Sequence, residues 1–257
     1  MKFSCASYMG KEKYEIKEKV FYTQALNERQ MGAIFIPKKN GPLPGVILIH
    51  GGGWNSRSYE DMNSVAKSLA SHGYTVFNIN YRFAPKDLHP APIDDLTLAM
   101  DYFKAHASEL KLDPSRIALW GYSAGGHIAS YYALTNSNSS SNVQAVVSGG
   151  APYDFTWYPY SPIIKKYMGD YRDKCLNAYI EASPVFKITE SAPPFFLYHA
   201  IEDKLVEFAQ STSFEARLKT FNIPVERHQV SWWGHATTFI FSNASVKKGI
   251  QFLEKHM

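Results

Sequence analysis

Apolar and polar positions alternate along Glu15 to Thr23 and again along Met31 to Pro37, with the β-branched and aromatic content of half-buried strands. Asn27-Glu28 lies between them, so the two segments read as an antiparallel hairpin. The breaker-rich Asn40-Gly41-Pro42-Leu43-Pro44 gives way to Gly45-Val46-Ile47-Leu48-Ile49, a continuous apolar run of the length expected for a strand covered on both faces. From there strand and helix patterns take turns. A helix from Glu60 to Ser71 precedes a strand from Tyr74 to Asn80. A second helix, Asp94 to Leu110, precedes a strand from Arg116 to Trp120, with Asp113-Pro114 marking the turn. A helix from Ala124 to Leu134, a polar Asn/Ser loop from Thr135 to Asn142 and a strand from Val143 to Ser148 come next. The closing elements are a strand from Pro194 to His199, a helix from Glu207 to Phe221, a strand from Pro224 to Val230 and a helix from Asn243 to His256.

This alternation predicts an α/β fold: a mostly parallel central sheet with an antiparallel N-terminal hairpin and helices on both faces. A chain of 257 residues buries roughly 70–75% of its unfolded surface, so residues 1–257 are expected to form one domain around one core. Only residues 151–193 break the rhythm. They are too long for a simple connection and are crowded with Tyr153, Phe155, Trp157, Tyr158, Tyr160, Tyr167 and Tyr171. Their aromatic content argues for an ordered insertion or small lid, with rings available to line a site.

Charge narrows the partners. The net charge of +4 comes from basic residues scattered in short pairs such as Lys38-Lys39 and Lys165-Lys166, which excludes a nucleic-acid stripe. No apolar stretch reaches the length of a membrane span, and residues 1–10 lack the apolar core of a signal peptide. A cytoplasmic location is therefore expected, with Cys5 and Cys175 as free thiols and the Asn138 and Asn243 sequons unused.

Against that background one motif carries chemistry. Gly121-Tyr122-Ser123-Ala124-Gly125 follows a predicted strand directly and precedes a predicted helix directly. In that setting G-x-S-x-G resembles the nucleophile elbow of α/β-hydrolases, a strained turn that would project the serine at the carboxyl edge of the sheet. His50-Gly51-Gly52-Gly53-Trp54 follows the buried strand at the place where such a fold needs backbone N–H groups for a tetrahedral oxyanion. The expected donors are the N–H groups of Gly52, Gly53 and Ala124, with the register among the glycines open by one residue. No Lys-Ser/Thr follows and no G-x-G-x-x-G spacing occurs, so no nucleotide cofactor is expected, and no metal.

A base must follow the acid in chain order, which leaves His228, His235 and His256. His228 falls within a strand pattern and His256 beside the C-terminus, so His235, in a loop opening after the last strand, is the expected base. Glu202 and Asp203 follow the strand ending at His199, while Asp154 follows the preceding strand and is the rival acid.

These motifs resemble the carboxylesterase branch of the α/β-hydrolases, near the feruloyl/acetyl esterase-like and hormone-sensitive-lipase-like groups. The resemblance runs from about Gly32 to Phe252 and includes Tyr81-Arg82-Phe83-Ala84-Pro85, Pro90-Ala91-Pro92-Ile93-Asp94-Asp95 and Asp113-Pro114-Ser115-Arg116-Ile117. Only 49 residues precede His50, too few for the helical cap of the hormone-sensitive-lipase-like enzymes, so the smaller feruloyl/acetyl esterase-like group fits better. The resemblance favours Asp203 as the acid and implies a small-molecule ester of a short acyl chain as substrate, cleaved by Ser123, Asp203 and His235. Amide cleavage, as by an arylformamidase or acyl-peptide hydrolase, and a non-catalytic small-molecule receptor are the alternatives. Arg82 and Asp95 are expected to form a structural ion pair, and Asp94 to cap a helix.

Overall fold

A computed structural model describes residues 13–137, 143–231, 234–241 and 243–257. Cys5, residues 138–142 of the predicted polar loop and Trp233 lie outside the described residues. Strand β1 (Tyr14–Phe21) pairs antiparallel with β2 (Met31–Pro37), as the alternation predicts, with a register shift between Lys17 and Val20. The remaining strands are β3 (Leu43–Ile49), β4 (Thr75–Ile79), β5 (Leu112–Tyr122), β6 (Ala145–Gly149), β7 (Phe195–Ala200) and β8 (Val225–Val230). They complete an eight-stranded sheet in the order β1-β2-β4-β3-β5-β6-β7-β8. β2 meets β4 antiparallel, and every pairing from β4 to β8 is parallel.

Alternate residues of each central strand feed two separate cores, which explains why the β3 run is apolar at every position. Ile47 and Ile49 join Ile34, Phe77 and Leu119 on one face, while Val46 and Leu48 join Phe35, Val76 and Trp120 on the other. Helices α2 (Ala91–Ala105) and α3 (Ala124–Thr135) cover the first face; α1 (Asn63–Ser71) and the C-terminal helix (Asn243–His256) cover the second.

Several boundaries differ from the sequence reading for local reasons. α2 starts at Ala91, behind Pro90, so Asp94 is no N-cap; it sits in the first turn, where its charge complements the helix dipole. Asp113-Pro114 makes no break before β5. Asp113 Oδ1 instead accepts Ser115 N at 3.0 Å inside the start of the strand, where the register with β3 slips. The 151–193 insertion is ordered by its own short helices, α4 (Pro162–Met168) and α5 (Leu176–Glu181), the first capped by Ser161.

The rings of that insertion go mostly into the core. Tyr153 stacks on Phe214 at 4.1 Å, Tyr167 stacks on Trp54 at 4.5 Å, and Phe155 stacks on His127 at 4.6 Å, all buried. The expectation that these aromatics line a pocket therefore holds for few of them.

Arg82 and Asp95 do pair. Asp95 is fully buried; its Oδ1 accepts from Arg82 Nε at 2.8 Å and Gln30 Nε2 at 2.7 Å, and its Oδ2 accepts from Arg82 N at 2.7 Å. One carboxylate thus ties the β2 approach, the chain after β4 and α2 together. Asp95→Ala leaves the guanidinium and amide without that partner, and should cost about 3 kcal/mol in a urea melt. A loss within error of zero would remove the pair from the list of stabilising contacts.

Candidate active site

β5 ends at Tyr122 and α3 begins at Ala124, leaving Ser123 alone to turn the chain. Its backbone takes φ 54° and ψ −120°, outside the regions a non-glycine residue ordinarily occupies. The two flanking glycines are required by contact. A Cβ on Gly121 would meet Gly125 O at 2.1 Å, and one on Gly125 would meet Ile49 O at 2.1 Å. Side chains at either position would push α3 off the sheet, and the elbow would open. Ser123 N donates to Gly149 O at 2.7 Å, tying the turn to the end of β6.

His235 reaches Ser123 from the far end of the sheet. It is the first residue of α7 (His235–Phe241), where a loop was expected; Gly234 O accepts Thr238 N at 3.0 Å in that first turn. The Tyr122 hydroxyl donates to His235 O at 2.5 Å and its ring lies 5.3 Å from the imidazole, so the residue preceding the serine also steadies the histidine. Nε2 of His235 lies 2.8 Å from Ser123 Oγ, and Nδ1 lies 2.6 Å from Asp203 Oδ2.

Asp203 sits in the turn after β7 with its side chain inaccessible to solvent. Oδ1 accepts the N–H groups of Leu205 and Val206 at 3.0 and 2.9 Å. Burial pushes the carboxyl up, but the His199 and His235 rings facing it, with the Val206 N–H, outweigh that and hold the group well below the usual carboxylate range. The rival Asp154 is engaged elsewhere: its Oδ1 accepts Thr156 N and Oγ1 at 2.9 and 2.6 Å. Glu202 is exposed. The structure thus brings Ser123, His235 and Asp203 into one chain of hydrogen bonds and leaves both alternative acids out of it.

Gly52 and Gly53 face the same cavity as Ser123, both at positive φ, 111° and 59°. A Cβ on Gly52 would strike Ser56 O at 2.2 Å. Among the described residues neither glycine donates its N–H to a protein acceptor, and Ala124 opens α3, where first-turn N–H groups have no intrahelical partner. His50, expected to be structural, is fully buried and stacked on Tyr81 at 4.4 Å; burial pulls its ring down to about 4. Tyr81 itself was not singled out from the sequence. Its hydroxyl donates to His50 O and Gly51 O at 3.1 and 3.3 Å, which holds the glycine loop in place. Its position at the head of the Tyr81-Arg82-Phe83-Ala84-Pro85 signature was the available signal.

The cavity has a volume of about 640 Å³. Its lining includes the apolar or aromatic Pro152, Tyr158, Ile163, Ile164, Leu205 and Val206 and the polar Asn55, Ser56, Arg57, Asp61 and Ser64. Among the described residues no group of three or more His, Cys, Asp or Glu side chains could hold a metal ion, and no helix is long and apolar enough to cross a membrane.

An eight-stranded, mostly parallel sheet with a serine on a strained strand-to-helix turn is the α/β-hydrolase architecture. Residues 33–218 match the BD-FAE family, and the chain belongs to it. That match contains Ser123 and Asp203 and stops short of His235. The chain is 32% identical over 234 residues to a probable carboxylic ester hydrolase, LipM, of Mycobacterium tuberculosis, covering 83% of this chain and 54% of LipM. It is 29% identical over 212 residues to esterase LipC of the same organism, covering 74% and 51%. The chain therefore spans about half the length of these curated relatives. Among solved structures, a carbohydrate esterase from gut microbiota superposes with TM-score 0.88 at 21% identity, covering 96% of this chain and 98% of the other. A bifunctional GH43-CE protein of Bacteroides eggerthii superposes with TM-score 0.86 at 26% identity, covering 94% and 38%.

Proposed function

We propose that the chain is a serine hydrolase that cleaves short-chain carboxylic esters through an acyl-enzyme intermediate, with Ser123 as nucleophile, His235 as base and Asp203 as acid. The observation that carries this reading is the pair of distances at His235, 2.8 Å to the serine oxygen and 2.6 Å to the carboxylate. The esterase names of its relatives support it. In this mechanism His235 Nε2 takes the Ser123 proton as Oγ attacks the ester carbonyl, and returns it to the departing alkoxide. Asp203 holds the proton on Nδ1, leaving Nε2 free to accept, and stabilises the imidazolium. The N–H groups of Gly52, Gly53 and Ala124 receive the oxyanion. Water, activated by the same histidine, then releases the acid. Cytoplasmic residence belongs to the same proposal.

The mixed lining of the cavity suits a substrate with a short acyl chain placed against its apolar residues and a polar alcohol placed against residues such as Asn55 and Ser64. Acetyl to butyryl p-nitrophenyl esters should give higher kcat/KM than octanoyl ones, with a gradual decline. Each methylene beyond the apolar residues forgoes up to ~0.8 kcal/mol of burial. A maximum at eight carbons or more would refute the short-acyl reading. A formamide or aminoacyl substrate outrunning every ester would replace it with amide cleavage. Labelling by a fluorophosphonate probe separates hydrolase from receptor in one gel: a chain that is never labelled is no serine hydrolase.

A further inference from the structure

Asp203 faces two histidines. Besides His235, His199 on β7 points its Nε2 at Asp203 Oδ2 from 3.3 Å, and the same nitrogen lies 2.9 Å from Val206 O. His199 is fully buried. A carbonyl oxygen can only accept, so the bond to Val206 O requires the proton to be on Nε2. That N–H is bonded to the carbonyl and also stands beside the carboxylate oxygen at 3.3 Å, an electrostatic contact, and Nδ1 is left as a buried acceptor without a hydrogen-bond partner among the described residues. Leu205 N and Val206 N donate to Oδ1, His235 Nδ1 bonds Oδ2, and His199 Nε2 stands 3.3 Å from that same Oδ2.

We propose that His199 is a positioning residue for the catalytic acid. Its Nε2–H holds the Asp203 carboxylate in register with His235 and draws charge from the oxygen that His235 uses, so it sets the pH at which His235 acts as base. This rests on the assignment of Asp203 and His235 above.

The reason is competition for one oxygen. An imidazolium is stabilised by the negative charge on Oδ2; a second donor on that oxygen spreads the charge and reduces the stabilisation. Removing the donor concentrates the charge on the His235 side and makes His235 more basic. The other groups facing this cluster come from several elements. Tyr122 on β5 holds His235 O, and Tyr158 in the insertion donates to Glu207 at 2.5 Å. The Phe208 ring makes a T-shaped contact with His199, and the Arg227 guanidinium lies over the same Phe208 ring. Glu202, Lys204 and Glu207 are exposed, so water screens them. Among the described residues none of these reaches Oδ2 directly, whereas His199 Nε2 lies 3.3 Å from it.

The test compares His199→Leu, which removes the donor, with His199→Gln, whose amide nitrogen takes the place of Nε2. The readout is the acid limb of the kcat/KM profile against pH. His199→Leu should move its midpoint up by about half to one unit, and His199→Gln should return it toward the parent value. A purely structural role would lower thermal stability and leave the midpoint alone. Coincident midpoints for the parent and His199→Leu, or an equal shift in both variants, would overturn the proposal. Should His199→Leu fail to fold, ¹⁵N-histidine NMR of the parent decides: a proton on His199 Nε2, facing Asp203, is expected, and one on Nδ1 overturns the proposal. Asp203→Asn is measured alongside. Collapse of its turnover with an unmoved His199→Leu midpoint defeats this inference alone, whereas full turnover in Asp203→Asn defeats the assignment beneath it.

Discussion

Ser123→Ala is expected to lower kcat for p-nitrophenyl acetate by about four to six orders of magnitude while thermal unfolding stays near that of the parent. Alanine keeps the Cβ that already tolerates φ 54° at the elbow, and it removes only the oxygen 2.8 Å from His235. His235→Ala should lose a similar amount, because the serine oxygen is a weak nucleophile until a base accepts its proton. The double variant should be little worse than either single one. The two side chains act as one unit, and losing either disables both. Single-turnover kinetics on the three variants check this. Additive losses would give His235 some role other than base, and full activity in pure Ser123→Ala protein would sink the nucleophile assignment.

Asp203→Asn should cost about four orders of magnitude in kcat, and Asp154→Asn less than about threefold. An amide at position 203 can donate to His235 Nδ1, which places the imidazole proton on Nε2 and blocks it from accepting the serine proton. Asp154 spends its Oδ1 on Thr156, with no bond to His235. The reverse ranking would transfer the acid to the strand before. The same substitution has a stability signature. Asp203 is held below its ordinary range on folding, so its contribution is fully present above the unfolded value of ~3.9 and is lost as pH falls toward the folded one. The Tm gap between parent and Asp203→Asn should therefore narrow below about pH 4. A gap constant from pH 7 to pH 2 would contradict the depressed carboxyl.

The sequence by itself determined what is encoded within a dozen residues. The alternation along β1 and β2, the uninterrupted apolar run of β3, and the strand-glycine-serine-glycine-helix join are local patterns whose physical reading does not depend on distant residues. So is the glycine loop after β3. The order of elements also restricted the base to three histidines. Which carboxylate meets which histidine is a different kind of question. Ser123 and His235 are 112 positions apart and His235 and Asp203 are 32 apart, so their meeting depends on the order of strands in the sheet. β5, β6, β7 and β8 lie side by side in parallel and end at the same edge, which brings the elbow, the turn after β7 and the start of α7 together. The family resemblance favoured Asp203, but it is that arrangement that brings Asp203 to His235 and leaves Asp154 and Glu202 away from it, and only it reveals His199, whose place in an apolar strand gave no sign of a second histidine on the acid. The insertion makes the same point in reverse. Its aromatic composition suggested a lined pocket, yet Tyr153, Phe155 and Tyr167 are buried in the core. Burying large rings releases more free energy than leaving them at a solvated rim, and which rings find a partner in the core is decided by the packing of α3, α6 (Ala209–Thr220) and the glycine loop against them.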